Sequence, residues 1–119
     1  MEAILQYYAA VAERLDRIMK EQREPMEKAA ALIAEHVMAG RIYHIFGTGG
    51  HSNMAAIEMH HRAGNLAPTN CMMDAGISSE RGSFRAMERV VGYAPKVLRY
   101  YGVNPGDLLI AVNAYGINP

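Results

Sequence analysis

The sequence predicts an α/β fold, a parallel β-sheet flanked by helices and preceded by two N-terminal helices. Three observations carry this reading. Strand-like and helix-like segments alternate after residue 40. Two glycine-bearing loops each follow directly on a strand candidate. The run from Leu108 to Val112 is apolar throughout, as in a parallel strand buried on both faces.

The first 22 residues place Ile4, Leu5, Tyr8, Val11, Ala12, Leu15, Ile18 and Met19 on one stripe, while Glu13, Arg14, Arg17 and Lys20 fall largely off it. That spacing is an amphipathic helix. Pro25 suits the first turn of a second helix, where an N–H would be unpaired anyway. This helix runs through Leu32, Ile33 and Val37, and Gly40 is a natural residue just past its end. These two helices cover a sheet or make a subunit contact.

Residues 41–46, Arg41-Ile-Tyr-His-Ile-Phe46, are β-branched and aromatic and read as a strand. Residues 47–53 are a loop, and residues 54–62 read as a helix closed by Gly64 and Asn65. Residues 69–73 form a weaker strand candidate ending at Asp74. Residues 75–85 are polar and glycine-bearing, a loop or short helical turn. A helix is expected over 88–101, with Pro95 moving its true start later. Residues 103–107 are turn chemistry leading into the apolar strand at Leu108, and a second glycine-bearing loop begins at Asn113. Both distinctive loops thus sit at the carboxyl edge of the sheet, where open α/β sheets bind ligands.

Composition narrows the function. Twelve Lys and Arg balance twelve Asp and Glu, so the basic excess of a nucleic-acid binder is absent. No apolar stretch approaches the roughly 20 residues that span a bilayer. The amino terminus carries no basic and apolar secretory pattern. A single cysteine, Cys71, fits a reducing compartment and reads as a buried, inert thiol. The expectation is one cytoplasmic domain with no membrane or nucleic-acid partner.

Glycines 47, 49 and 50 allow the backbone of the first loop to turn tightly and to bring its N–H groups close to a ligand. The helix that follows offers unpaired N–H groups favouring an anion. Thr48, Ser52 and Asn53 add side-chain donors, so the loop reads as a phosphate cradle. The plainer alternative is a tight strand-to-helix turn capped by Ser52 or Asn53. A nucleotide P-loop is excluded, because no lysine occurs between residues 29 and 95. A dinucleotide fingerprint beginning at Gly47 and Gly49 would have Ser52 at its third glycine position and Asp74 as its ribose-binding acid. That leaves an NAD(P)-binding Rossmann domain as an alternative.

The segment Gly47-Thr-Gly-Gly-His-Ser-Asn-Met-Ala55 after its strand resembles the first phosphosugar loop of SIS (sugar isomerase) domains. Residues 107–118 resemble that family's second motif, a strand followed by S-x-S-G-x-T, with Asn113, Tyr115, Gly116 and Asn118 at the four motif positions. The longer phrase over residues 51–64 resembles an uncharacterised bacterial sub-family related to phosphoheptose isomerase. The resemblance covers essentially the whole chain and implies a three-layer, flavodoxin- or Rossmann-like domain with a five-stranded parallel sheet, often dimeric. With three strand candidates, these 119 residues correspond to its N-terminal half, residues 1–40 being a helical lead and 41–119 the front of the α/β domain. The implied ligand is a sugar phosphate, bound for aldose–ketose isomerisation or by a non-catalytic sensor or regulatory module. The implied phosphate-binding residues are Gly47, Thr48, Gly49, Gly50, His51, Ser52, Asn53, Asn113, Tyr115, Gly116 and Asn118. The second loop departs from the family in having Asn113, Tyr115 and Asn118 where the motif has hydroxyl residues.

Isomerisation needs a base to move a proton between adjacent carbons. The helix after the first loop offers Glu58, His60 and His61, and the loop itself offers His51. Glu58 and His61 are the catalytic candidates. Glu58 matches the glutamate of phosphoheptose isomerases only approximately, that residue lying about a turn further along this helix. Its structural alternative is an ion pair with Arg62 at i+4. The histidines show no H-E-x-x-H spacing and no cysteine pair accompanies them, so neither metal nor cofactor is expected. Nine methionines read as core filler.

Overall fold

A computed structural model describes residues 1–60, 62–80, 82 and 84–116. The chain divides into two compact units, Met1–Glu35 and a second that begins at His36. Helix α1 covers Glu2–Glu21 and helix α2 covers Arg23–Met38, with Pro25 in the first turn of α2. Their polar faces carry i,i+4 ion pairs, Arg17–Glu21 at 3.4 Å, Arg23–Glu27 at 2.9 Å and Glu24–Lys28 at 2.7 Å. The apolar stripe of α1 is exposed at Ile4, Leu5, Tyr8, Leu15 and Met19.

Helix α2 ends as the sequence predicts. Gly40 takes a left-handed φ of 73°, its N–H donates to Val37 O at 2.9 Å, and Arg41 N–H donates to His36 O at 3.2 Å. This paired closure satisfies two carbonyls that the helix would otherwise leave open. His36 is buried, and its Nε2–H donates to Ile42 O at 2.8 Å, fixing the chain's entry into the sheet.

The sheet has three parallel strands, β1 (Tyr43–Gly47), β2 (Thr69–Met72) and β3 (Leu108–Val112), in the order β2-β1-β3. Helix α3 (Asn53–Glu58) follows β1 and packs against β1 and β2. Between β2 and β3 lie α4 (Phe84–Met87) and α5 (Tyr93–Tyr100). Phe46, Met72, Ile77 and Val97 form a buried cluster, against which Met87, Tyr93, Leu98 and Leu109 pack.

The structure differs from the sequence expectation in three respects. Within this span the apolar run at Leu108 forms β3, which pairs with β1 and is half-buried, Ala111 being exposed, whereas β1 has a neighbour on each side and is buried along its length. Helix α3 stops at Glu58 rather than continuing to Arg62, and Asn65 Nδ2 donates to Glu58 O at 3.3 Å across its end. The helix expected over 88–101 starts only at Tyr93, after Gly92 at φ 81°, and puts Pro95 in its first turn, where no intrahelical N–H is needed.

Beneath the sheet's amino-terminal edge lies a buried polar network. Asn70 Nδ2 donates to His44 Nδ1 at 3.1 Å and to Tyr101 O at 2.8 Å, using both of its hydrogens. His44 Nε2 faces Asp107 Oδ2 at 3.4 Å. The contacts tie all three strand starts to the end of α5.

Candidate functional site

The strand order sets the site's place. The chain passes from β1 to β2 on one side and returns to β3 on the other, so the direction of winding reverses between β1 and β3. The crevice outside the carboxyl ends of those two strands is the topological switch point of such a sheet. Residues 47–53 leave β1 there, and residues 113–116 leave β3 beside them.

The two loops are bonded to each other. Thr48 donates its amide to Val112 O at 3.0 Å and its hydroxyl to the same oxygen at 3.2 Å. The Ser52 hydroxyl accepts Ala114 N–H at 2.9 Å, which leaves its own hydrogen to donate elsewhere. Asn113 Oδ1 accepts the amides of Tyr115 at 3.0 Å and Gly116 at 2.5 Å, folding the second loop on itself.

None of the first-loop glycines needs a left-handed backbone; Gly47 is held by close backbone approach, whereas Gly49 and Gly50 face side chains. A Cβ at Gly47 would lie 2.2 Å from Ser52 O, a backbone atom that cannot move aside without opening the turn. At Gly50 it would lie 2.4 Å from the Phe84 ring. At Gly49 it would point into a cavity and meet the Glu88 carboxylate, 2.5 Å from Oε2.

That cavity, of about 340 Å³, is lined by Thr48, Gly49, His51 and Ser52 from the first loop and by Asn113 and Tyr115 from the second. Its far wall is α4 and the turn after it, with Phe84, Arg85, Glu88 and Arg89. His51 stacks edge-on against Phe84, centroids 6.1 Å apart, and against Tyr115 at 5.7 Å, bridging the wall and the second loop. Glu88 Oε2 accepts Gly50 N–H at 3.2 Å. The site therefore offers backbone amides, the Ser52 hydroxyl, an imidazole and two guanidiniums. Those groups suit an oxyanion.

Of the residues expected from the sequence, Thr48, Gly49, His51, Ser52, Asn113 and Tyr115 line this cavity, and Gly47, Gly50 and Gly116 do not. Sequence reasoning missed Phe84, Arg85, Glu88 and Arg89. Their spacing of three and four residues marks one face of a helical turn, but nothing in the sequence says which loop that face meets.

Other candidates lie elsewhere. Asn53 is 2% exposed, its Oδ1 has no hydrogen-bond partner, and it lines a separate cavity with Ile57, Met73, Ala75, Ser78 and Glu80. Glu58 does not line the first-loop cavity. Its two oxygens accept from Arg62 Nη2 at 2.5 and 2.6 Å on an exposed face, the i+4 pair that the spacing predicts. His61 and Asn118 lie outside the described residues. Asp74 Oδ1 accepts Tyr93 O–H at 2.6 Å and Gly76 N–H at 2.8 Å. The bond to Asp74, with burial and the carboxylate's charge, pushes the Tyr93 hydroxyl up to about 12. Cys71 is buried, and among the described residues no three His, Cys, Asp or Glu side chains gather as metal ligands. No described helix is long and apolar enough to cross a membrane.

Comparison with known proteins adds the family. The sequence model of the SIS domain matches residues 6–119. UPF0309 proteins of Brucella ovis, Brucella canis and Brucella suis are each 39% identical to this chain over 114 residues, 94% of its length and 47% of theirs. The chain spans about half the length of these curated relatives.

Proposed function

From the premise that the chain belongs to the SIS domain family, we propose that it binds a phosphorylated sugar, its phosphate held between residues 47–53 and 113–116. The observation that carries this reading is the cavity at the β1/β3 switch point, where loop amides and the Ser52 hydroxyl face Arg85 and Arg89. A phosphate dianion needs several donors and nearby positive charge, and this wall-and-loop arrangement offers both. The dinucleotide alternative has less support, since Ser52 stands at its third glycine position and the serine hydroxyl is bound to Ala114 N–H.

Aldose–ketose isomerisation is the second reading. It draws support from His51, an imidazole in the same cavity that can accept and return a proton. Glu58 enters such a mechanism only if it leaves Arg62. A cytoplasmic setting and a homo-oligomer belong to the same proposal, without nucleic-acid or membrane partners.

The test is calorimetric titration of a sugar-phosphate panel into the wild-type chain and Gly49→Val. Wild type should bind at least one sugar phosphate more tightly than the unphosphorylated sugar, and the variant should bind none. Equal binding by the variant places the cradle elsewhere. An isomerase assay on the same panel separates catalysis from sensing, and turnover abolished by His51→Gln with binding retained supports the catalytic reading.

A further inference from the structure

We propose that Glu88 is a specificity-determining residue, an internal anion that occupies the cradle until a ligand displaces it; this rests on the phosphate-cradle reading. Its Oε2 accepts Gly50 N–H at 3.2 Å, the bond that a phosphate oxygen would make with the same amide. The carboxylate lies over Gly49 as well, where a Cβ would come within 2.5 Å of Oε2. Among the described residues that line the cavity, Glu88 is the single carboxylate, set between the guanidinium-bearing Arg85 and Arg89. No ion pair joins Glu88 to either arginine among the described residues, and its carboxylate is bound to the loop amide.

Two anions cannot share that amide. Like charges about 4 Å apart repel each other. An incoming phosphate must therefore move Glu88 off Gly50 and recover that loss through other contacts. A small free anion has only the cradle to offer. A sugar phosphate adds hydroxyl contacts to the same cavity, so it can displace the carboxylate where inorganic phosphate does so poorly. Glu88 thereby biases the site toward the esterified ligand and against the abundant free ion.

The experiment titrates inorganic phosphate alone into wild type, Glu88→Gln, Glu88→Ala and, as a control of equal charge change on α1, Glu13→Gln. Both Glu88 variants should bind phosphate at least ten-fold more tightly than wild type, and Glu13→Gln should match wild type. Unchanged or weaker binding in the Glu88 variants, with Gly49→Val still abolishing it, overturns the displacement role and leaves the cradle standing. Absence of phosphate binding in every chain, with the sugar-phosphate panel also silent, overturns the cradle. A ligand-free measurement is independent of both. The Gly50 amide proton should move upfield in Glu88→Ala, because its carboxylate acceptor is gone; an unmoved resonance overturns the proposal on its own.

Discussion

The Ser52 hydroxyl accepts the amide of Ala114 at 2.9 Å, joining two loops 62 residues apart in sequence. Ser52 is buried and directly precedes α3, so the bond fixes the second loop against the end of the first loop where it enters the helix. Together with the double contact of Thr48 to Val112 O, it sets the width of the crevice.

Ser52→Ala should lower stability by about 0.5–1.5 kcal/mol, the usual net worth of one such hydrogen bond. It should also weaken phosphate binding, since the hydroxyl's free hydrogen disappears with it. Urea denaturation and calorimetry check the two effects separately; an unchanged midpoint would show that Ala114 is held by other means.

Gly50→Ala should cost about 1–3 kcal/mol, because its Cβ enters the Phe84 ring at 2.4 Å. In a Phe84→Ala background the same change should cost less than half as much, the space having been cleared. A double-mutant cycle in urea measures the coupling, and additive effects would refute a direct clash.

Tyr93 should ionise well above the ordinary tyrosine range. Its hydroxyl is pushed up to about 12 by the bond to Asp74, by burial and by that carboxylate's charge. The folded value lies above the unfolded one, so this contribution to stability is full below about pH 10 and lost as pH rises toward 12. Ultraviolet titration of wild type should show a late-titrating component that Tyr93→Phe removes.

Asp107 should make folding acid-sensitive. The Asn104 amide donates to its carboxylate at 2.8 Å, and this bond, aided by nearby His44, holds the carboxyl below its ordinary value. The folded value is depressed, so its stabilisation is present above the ordinary carboxylate range and disappears as pH falls through the folded value. Asp107→Asn should therefore have a flatter Tm profile below about pH 4 than wild type. Parallel profiles would remove Asp107 from the acid response.

Much of the architecture was legible because it depends on local chemistry. The stripe on α1, Pro25 at the start of α2 and Gly40 at its end follow from helix period and capping. The strands at Tyr43, Thr69 and Leu108 follow from short apolar runs between turn residues. The first loop announced itself because glycines packed that densely at a strand end allow close backbone approach, which Gly47 shows against Ser52. The Glu58–Arg62 pair expected from i+4 spacing forms although α3 ends at Glu58, four residues being a short enough separation for the two side chains to meet beyond the helix end.

Strand order was a different matter. Sequence alternation gives parallel strands but does not say which one lies between the others; β1 does, and it is the strand buried along its length. Burial depends on neighbours contributed by distant parts of the chain, which spacing does not show. The same limit hid the far wall of the site. Glu88 meets Gly50 across 38 residues, because β2-β1-β3 winding carries α4 back over the first loop. The sequence by itself determined the main elements and the glycine-rich turn that leaves β1. Only the tertiary structure decided which side chains stand opposite it, because those contacts are set by strand order and packing rather than by spacing along the chain.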